Sequence, residues 1–242
     1  MPHPDTFSLD HGRALVIGVG GLGSPAAMAL AAAGVGTLGL MDPDVVEISN
    51  LHRQPLYDEA DVGRPKVLAA AARLHDRHPA LAIETEVRRF GADDEALLAG
   101  WDVVLDGTDT IAAKFTVNDA AVAAEVPLIH AGALGWRTQL LTVLPHGSAC
   151  YRCLFEEAPP ADEVPSCQEA GVLGPAVVLA GTLQAGEAVR ILAHLEPAFR
   201  DRLLTIDTRT GTWRSVPLSR DPNCAACGDR HEVRAAQRSN HP

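Results

Sequence analysis

The 242-residue chain is 47% hydrophobic and 21% charged, which is enough apolar material for a sizeable globular core. Its net charge of −11, without basic runs or interleaved aromatics, argues against non-specific nucleic-acid binding. No uninterrupted apolar run reaches membrane-spanning length, and "MPHPDTFSLDHGR" lacks the charged-then-apolar pattern of a signal peptide, so a cytoplasmic protein with no membrane partner is expected.

In chain order, strand-like runs fall at about 13–18, 37–41, 81–87, 101–106 and 126–130, and helical ones at about 22–34, 64–78, 93–99 and 111–125. This alternation predicts an α/β fold with a doubly wound, mostly parallel sheet. "VVLD" and "PLIHA" are compact apolar runs of the kind buried on both faces. From about 136 the pattern changes. "WRTQLLTVL" reads as an antiparallel strand, and "LLTIDTRTGTWRSVPL" as a hairpin around Thr210 and Gly211. Between them lie a Pro- and acid-rich loop, "EEAPPADEVP", and a long helix of small residues, "GVLGPAVVLAGTLQAGEAVRILAHL". A single domain over 1–242 is expected: a nucleotide-binding part (12–135), a C-terminal antiparallel β extension with loop and zinc knuckle (136–228), and a flexible tail (229–242).

"GVGGLG", carrying Gly18, Gly20, Gly21 and Gly23, joins the first strand to the first helix. Glycines there permit a tight turn and let backbone N–H groups approach a phosphate at the helix N-terminus. Asp42 ends the second strand, where an acid can accept both ribose hydroxyls of an adenosine; it could instead cap its own loop, but its pairing with the glycine turn favours the ribose. These features alone fit NAD as well as ATP. The next segment, "DPDVVEISNLHRQPLYDEADVGRPK", adds Arg53 and Lys66. A nicotinamide enzyme has no need of further cations beside the ribose, whereas breaking a phosphoanhydride requires charge neutralisation on the leaving pyrophosphate. Lys66 falls in the first turn of a helix with Pro65 suited to its first position, and a cation there opposes the helix dipole unless an anion is near.

"LDGTDT" ends another sheet strand, and Asp109 offers a hard oxygen for Mg²⁺ or, alternatively, a cap for the helix that follows. Asp106 reads as a strand-end turn residue. Two C-x-x-C pairs, Cys150/Cys153 and Cys224/Cys227, suit a closed tetrahedral Zn²⁺ site of structural character. Cys167, before the long helix, is either a nucleophilic thiol or a small buried residue. None of the ten histidines receives a role, although His52 and His130 fall near the expected pocket.

"GVGGLG", "AAGVG", "DPDVVEISNLHRQPL", "DVGRPK", "LDGTD", "CYRCL", "SCQEAGVLGP" and "NCAACG" occur in this order, and over about residues 13–228 the chain resembles the MoeB/ThiF/HesA family. These proteins are bacterial relatives of the adenylation domain of ubiquitin-activating enzymes. The resemblance implies a Rossmann-like ATP-binding fold and an adenylyltransferase that activates the C-terminal glycine of a ubiquitin-like β-grasp sulfur carrier ending in Gly-Gly. Under it, Gly21 lies against the ATP phosphates and Asp42 binds the ribose. Asn50, Arg53, Gln54 and Lys66 contact phosphates or assist transfer, and Asp109 holds Mg²⁺. Cys150, Cys153, Cys224 and Cys227 match the zinc ligands, and Cys167 the cysteine that can join the carrier covalently. Residues 156–166 match a crossover loop over the carrier tail. A homodimer and an external sulfur donor are also implied. Two positions depart from the family: its arginine ahead of the first strand has no match, and Thr110 replaces the usual asparagine of "TDN". The alternatives are an NAD-dependent oxidoreductase and a catalytically weakened binding member of the same fold.

Overall fold

The computed structural model describes residues 8–159 and 171–229. Cys167, most of the crossover loop and the tail from residue 230 lie outside the described residues.

Five parallel strands come first: β1 (Arg13–Ile17), β2 (Thr37–Met41), β3 (Ala82–Glu86), β4 (Val103–Asp106) and β5 (Leu128–Leu134). Three antiparallel strands extend them, namely β6 (Arg137–Val143), β7 (Arg202–Asp207) and β8 (Thr212–Pro217). All join one sheet in the order β3-β2-β1-β4-β5-β6-β7-β8. The expected strands are all present. β5 runs further than its apolar core because Gly132, Ala133 and Leu134 continue the ladder with β6.

The helices are α1 (Gly23–Ala33), α2 (Lys66–Arg77), α3 (Glu95–Leu98), α4 (Ile111–Ala123), α5 (Tyr151–Leu154) and α6 (Gly174–Leu192). The third expected helix is split, a 3₁₀ turn over Ala92–Asp94 leading into α3.

Alternation along β1 sorts its side chains into two cores, as a period of two requires. Ala14 and Val16 join α1, α2 and α6 residues such as Leu30, Val67 and Ala185. Leu15 and Ile17 join Leu98, Val117 and the thiols of Cys150 and Cys224. Burial on both faces explains why β1, β2 and β4 are almost wholly apolar, whereas β3, an edge strand, carries Glu84, Thr85 and Glu86. β1 lies between β2 and β4, so the chain leaves the sheet in opposite directions at their carboxyl ends. A crevice opens there, as it does in doubly wound sheets generally.

Candidate active site

That crevice is a cavity of about 990 Å³. Its floor is the carboxyl ends of β1, β2 and β4, and its far wall is formed by β5, β6, β7 and β8. Gly18, Gly20, Gly21, Asp42, Asn50, Arg53, Gln54, Lys66 and Asp109 all line it. Residues chosen from separate motifs therefore meet in one space.

Gly23 is the exception. It starts α1 behind the turn, where an added Cβ would sit 1.9 Å from the Gly18 carbonyl oxygen. Its role is close backbone packing. Gly18 does line the cavity, and its φ of +85° is a conformation that L side chains rarely adopt.

The long excursion after β2 returns to its own origin. Val45 and Pro65 form an isolated antiparallel bridge, and the Lys66 N–H donates to the Asp44 carbonyl. Buried Asp61 accepts from Arg64 at 2.8 Å and Arg73 at 2.5 Å, tying the middle of the excursion to α2. A 3₁₀ turn, Ile48–Arg53, then lays Arg53 against the glycine turn, its Cδ 3.7 Å from the place of a Cβ on Gly21. The Arg53 guanidinium donates to Asn50 Oδ1.

Pro65 proves to be the N-cap of α2, with Lys66 as the first helical residue. The anion that a cation at this position needs is present. Lys66 Nζ lies 2.9 Å from Asp44 and 3.9 Å from Asp42, with its side chain 7% exposed. Asp42 accepts from the Val19 N–H at 2.7 Å and the Asp44 N–H at 2.8 Å. Burial pushes the Asp42 carboxyl above its usual value, and Lys66 and the two N–H groups only partly oppose this.

Thr110, not Asp109, caps α4: its hydroxyl accepts from the Ala113 N–H at 3.3 Å. Threonine and asparagine are both favoured N-caps, so the departure from "TDN" keeps the cap. Asp109 remains a wall residue of the cavity.

Beneath the cavity lies a network that sequence reasoning missed. Fully buried Asp106 accepts from Thr108 N–H at 2.9 Å, Thr108 hydroxyl at 2.6 Å and Lys114 Nζ at 3.1 Å, with His130 Nδ1 at 2.8 Å. Burial alone pushes the Asp106 carboxyl up, but Lys114, His130 and Thr108 outweigh it and hold the group well below the usual carboxylate range. Burial likewise pulls His130 below its ordinary value, despite Asp106. Four arginines were also not anticipated as lining residues: Arg88, Arg89, Arg137 and Arg214. The lining thus holds seven basic side chains against four carboxylates, although the chain as a whole carries a net charge of −11.

On the opposite side of the sheet from α6, Cys150, Cys153, Cys224 and Cys227 place all four sulfurs within 4.8 Å of one another. Cys150 and Cys224 lie 3.6 Å apart, Cys153 and Cys227 3.4 Å. Tetrahedral Zn²⁺ with bonds of about 2.3 Å separates its sulfurs by about 3.8 Å, so the set fits that ion. The thiol of Cys150 holds Cys153 low, while Cys150 itself is pushed up by Cys153. Thiols this close cannot all ionise together by themselves, whereas a Zn²⁺ between them would hold all four as thiolates. Tyr151, inside the first pair, stacks on His130 with ring centroids 4.7 Å apart and also lines the cavity.

The sequence pattern of the ThiF family matches residues 2–226. The chain belongs to this family. Among its relatives, the adenylyltransferase and sulfurtransferase MOCS3 of Sus scrofa is 44% identical over 225 residues, covering 92% of this chain and 50% of the relative. The SAMP-activating enzyme E1 of Haloferax volcanii is 40% identical, covering 90% of this chain and 80% of the relative. The sulfur carrier protein adenylyltransferase of Thermus thermophilus is 39% identical, covering 91% and 84%. The chain spans about half the length of the MOCS3 relatives it matches. Among solved structures, E. coli MccB with ATP superposes with a TM-score of 0.82 at 23% identity, over 91% of this chain and 68% of that one, a likeness of fold. No helix among the described residues is long and apolar enough to cross a membrane.

Proposed function

We propose that this ThiF-family chain is an ATP-dependent adenylyltransferase that activates the C-terminal glycine carboxylate of a ubiquitin-like β-grasp sulfur carrier. The observation that carries the reading is the cavity's excess of basic side chains, on an acidic chain, around a glycine turn and a buried ribose-type aspartate. Both substrates of such a reaction, a triphosphate and a carboxylate, are anions. The family relatives named as carrier adenylyltransferases and activating enzymes point the same way.

In the reaction a carboxylate oxygen of the carrier attacks the α-phosphorus of ATP. A C–O–P linkage forms, the bond from the α-phosphorus to its bridging oxygen breaks, and pyrophosphate leaves with the electron pair. The N–H groups of Gly20, Gly21 and Leu22, at the start of α1, hold phosphate oxygens, since those of Gly18 and Val19 are spent on the Met41 carbonyl and Asp42. Each Asp42 oxygen accepts one backbone N–H and keeps a lone pair for a ribose hydroxyl. Arg53 and Lys66 meet the charge that grows on the leaving pyrophosphate, with Asn50 and Gln54 orienting the chain of phosphates. Displacing Asp44 from Lys66 is part of binding, because a phosphate is the stronger anion for that ammonium. Mg²⁺, held by Asp109, supplies further charge neutralisation when bound. The protein's part is positioning and neutralisation, since a carboxylate is already nucleophilic and needs only a displaceable partner.

Zn²⁺ on the four cysteines serves structure, Cys167 takes up the activated carrier, and the working unit is a cytoplasmic homodimer. ATP–pyrophosphate exchange with β-grasp proteins ending in Gly-Gly tests the reading. Exchange that depends on such a carrier is expected; ATP binding with no exchange for any carrier overturns it.

A further inference from the structure

We propose that Lys114 binds the carboxylate of the incoming carrier tail, an inference that rests on the adenylation reading. The Lys114 side chain is 8% exposed and lines the cavity where its two halves join. One N–H of its ammonium goes to Asp106 at the end of β4, and a second to the Ala131 carbonyl on β5 at 2.6 Å. An ammonium has three N–H donors. Among the described residues no acceptor takes the third.

Asp106 shares its two oxygens among Thr108 N–H, Thr108 hydroxyl, His130 and Lys114, so its negative charge is spread over four partners. A buried ion pair is seldom worth its desolvation as a stabilising device, and apolar replacements of similar volume often do as well. A lysine kept at a cavity wall therefore suggests a charged visitor.

The position identifies that visitor. Lys114 has Thr108 and Asp109, on the nucleotide side, just ahead of it in the chain. On the other side Gly132 and Ala133 continue β5 toward Thr138, which lines the same cavity and whose buried hydroxyl has no partner among the described residues. A tail lying along β5 and β6 toward the nucleotide would bring its terminal carboxylate to Lys114, with Thr138 available to a peptide group behind it. A carboxylate that loses water against this wall needs a cation, because unpaired charge is costly to desolvate.

The test compares two forms of one Gly-Gly-terminated β-grasp carrier, with a free C-terminal carboxylate and with a C-terminal amide, binding to the full chain by calorimetry. The wild type should prefer the acid by about tenfold or more, as for a hydrogen bond to a charged group. In Lys114→Met the preference should shrink to within about twofold, through loss of affinity for the acid alone. General loosening of the fold would weaken both forms together and leave their ratio unchanged. Lys114→Met leaves Asp106 short of a cation, so the paired variant Asp106→Asn with Lys114→Met is measured beside it and should lose the preference equally. Retention of the wild-type preference by whichever variant folds overturns this inference and leaves the adenylation reading standing. A wild type that binds neither form overturns both.

Discussion

Asp106 and His130 are register partners on β4 and β5, and their side chains meet 2.8 Å apart with neither more than 3% exposed. Burial lowers the His130 proton affinity below its ordinary value, so the folded protein binds fewer protons than the unfolded chain near pH 6. Its contribution to stability is present above the unfolded value of about 6.5 and is lost as pH falls. The depressed Asp106 carboxyl adds a second loss in stronger acid, below about pH 4. Asp42, whose carboxyl is raised, works in the opposite direction within that acid range. Urea midpoints should therefore fall between pH 7.5 and pH 5.5, and His130→Gln should flatten that slope. An equal slope in the variant would show that another group titrates.

Gly181 presses α6 onto the entrance of α1. A Cβ there would stand 2.2 Å from the Leu22 carbonyl oxygen and 2.7 Å from Pro25 Cγ. The first contact is backbone and cannot swing away, so Gly181→Ala should cost about 1–3 kcal/mol through overpacking. It should weaken ATP binding too, because Leu22 directly follows the phosphate turn. Gly186, on the same helix, faces open space, and there alanine should instead stabilise by about 0.5–1 kcal/mol. Urea midpoints of the two variants check the opposite signs, and a wild-type midpoint for Gly181→Ala refutes the contact.

The four-cysteine cluster joins residues 74 apart in sequence and sits within the core beneath β5 and β6. Metal analysis should find about one Zn²⁺ per chain. Stripping it with a chelator removes a long-range cross-link, an effect of about 2–5 kcal/mol by analogy with a disulfide, and should lower Tm by several degrees. Added zinc should restore it. A protein that is stable and fully active without bound metal contradicts the assignment.

Most of the sheet could be read from the sequence because its signals are local. "GVGGLG" between an apolar run and a small-residue helix, or "VVLD" closing on an aspartate, contain their own turn chemistry. The Asp106, Lys114 and His130 network was not legible for the opposite reason. Asp106 and His130 meet through strand register, and a register between β4 and β5 leaves no trace in either segment alone. Lys114 has the look of an ordinary polar break in a small-residue helix until α4 turns it under the cavity. The arginines fail in the same way: Arg88 and Arg89 follow β3, while Arg137 and Arg214 come from strands far along the chain. Gly23 was misjudged because a glycine needed for backbone contact and one needed for phosphate contact look alike in a motif.

The excursion between β2 and α2 gives the crevice two kinds of wall. Gly18 and Asp42 sit at the ends of ladders, their N–H groups donating to the Met41 and Glu86 carbonyls of neighbouring strands, and these amide protons should exchange with solvent only when the sheet opens. Asn50, Arg53 and Gln54 ride instead on a single 3₁₀ turn, anchored by the Val45–Pro65 bridge and the side chain of Asp61. That stretch can breathe while the sheet stays closed, so its amides should exchange faster and slow when nucleotide arrives. Half of the chamber is built before its guest appears, and the other half sets around it.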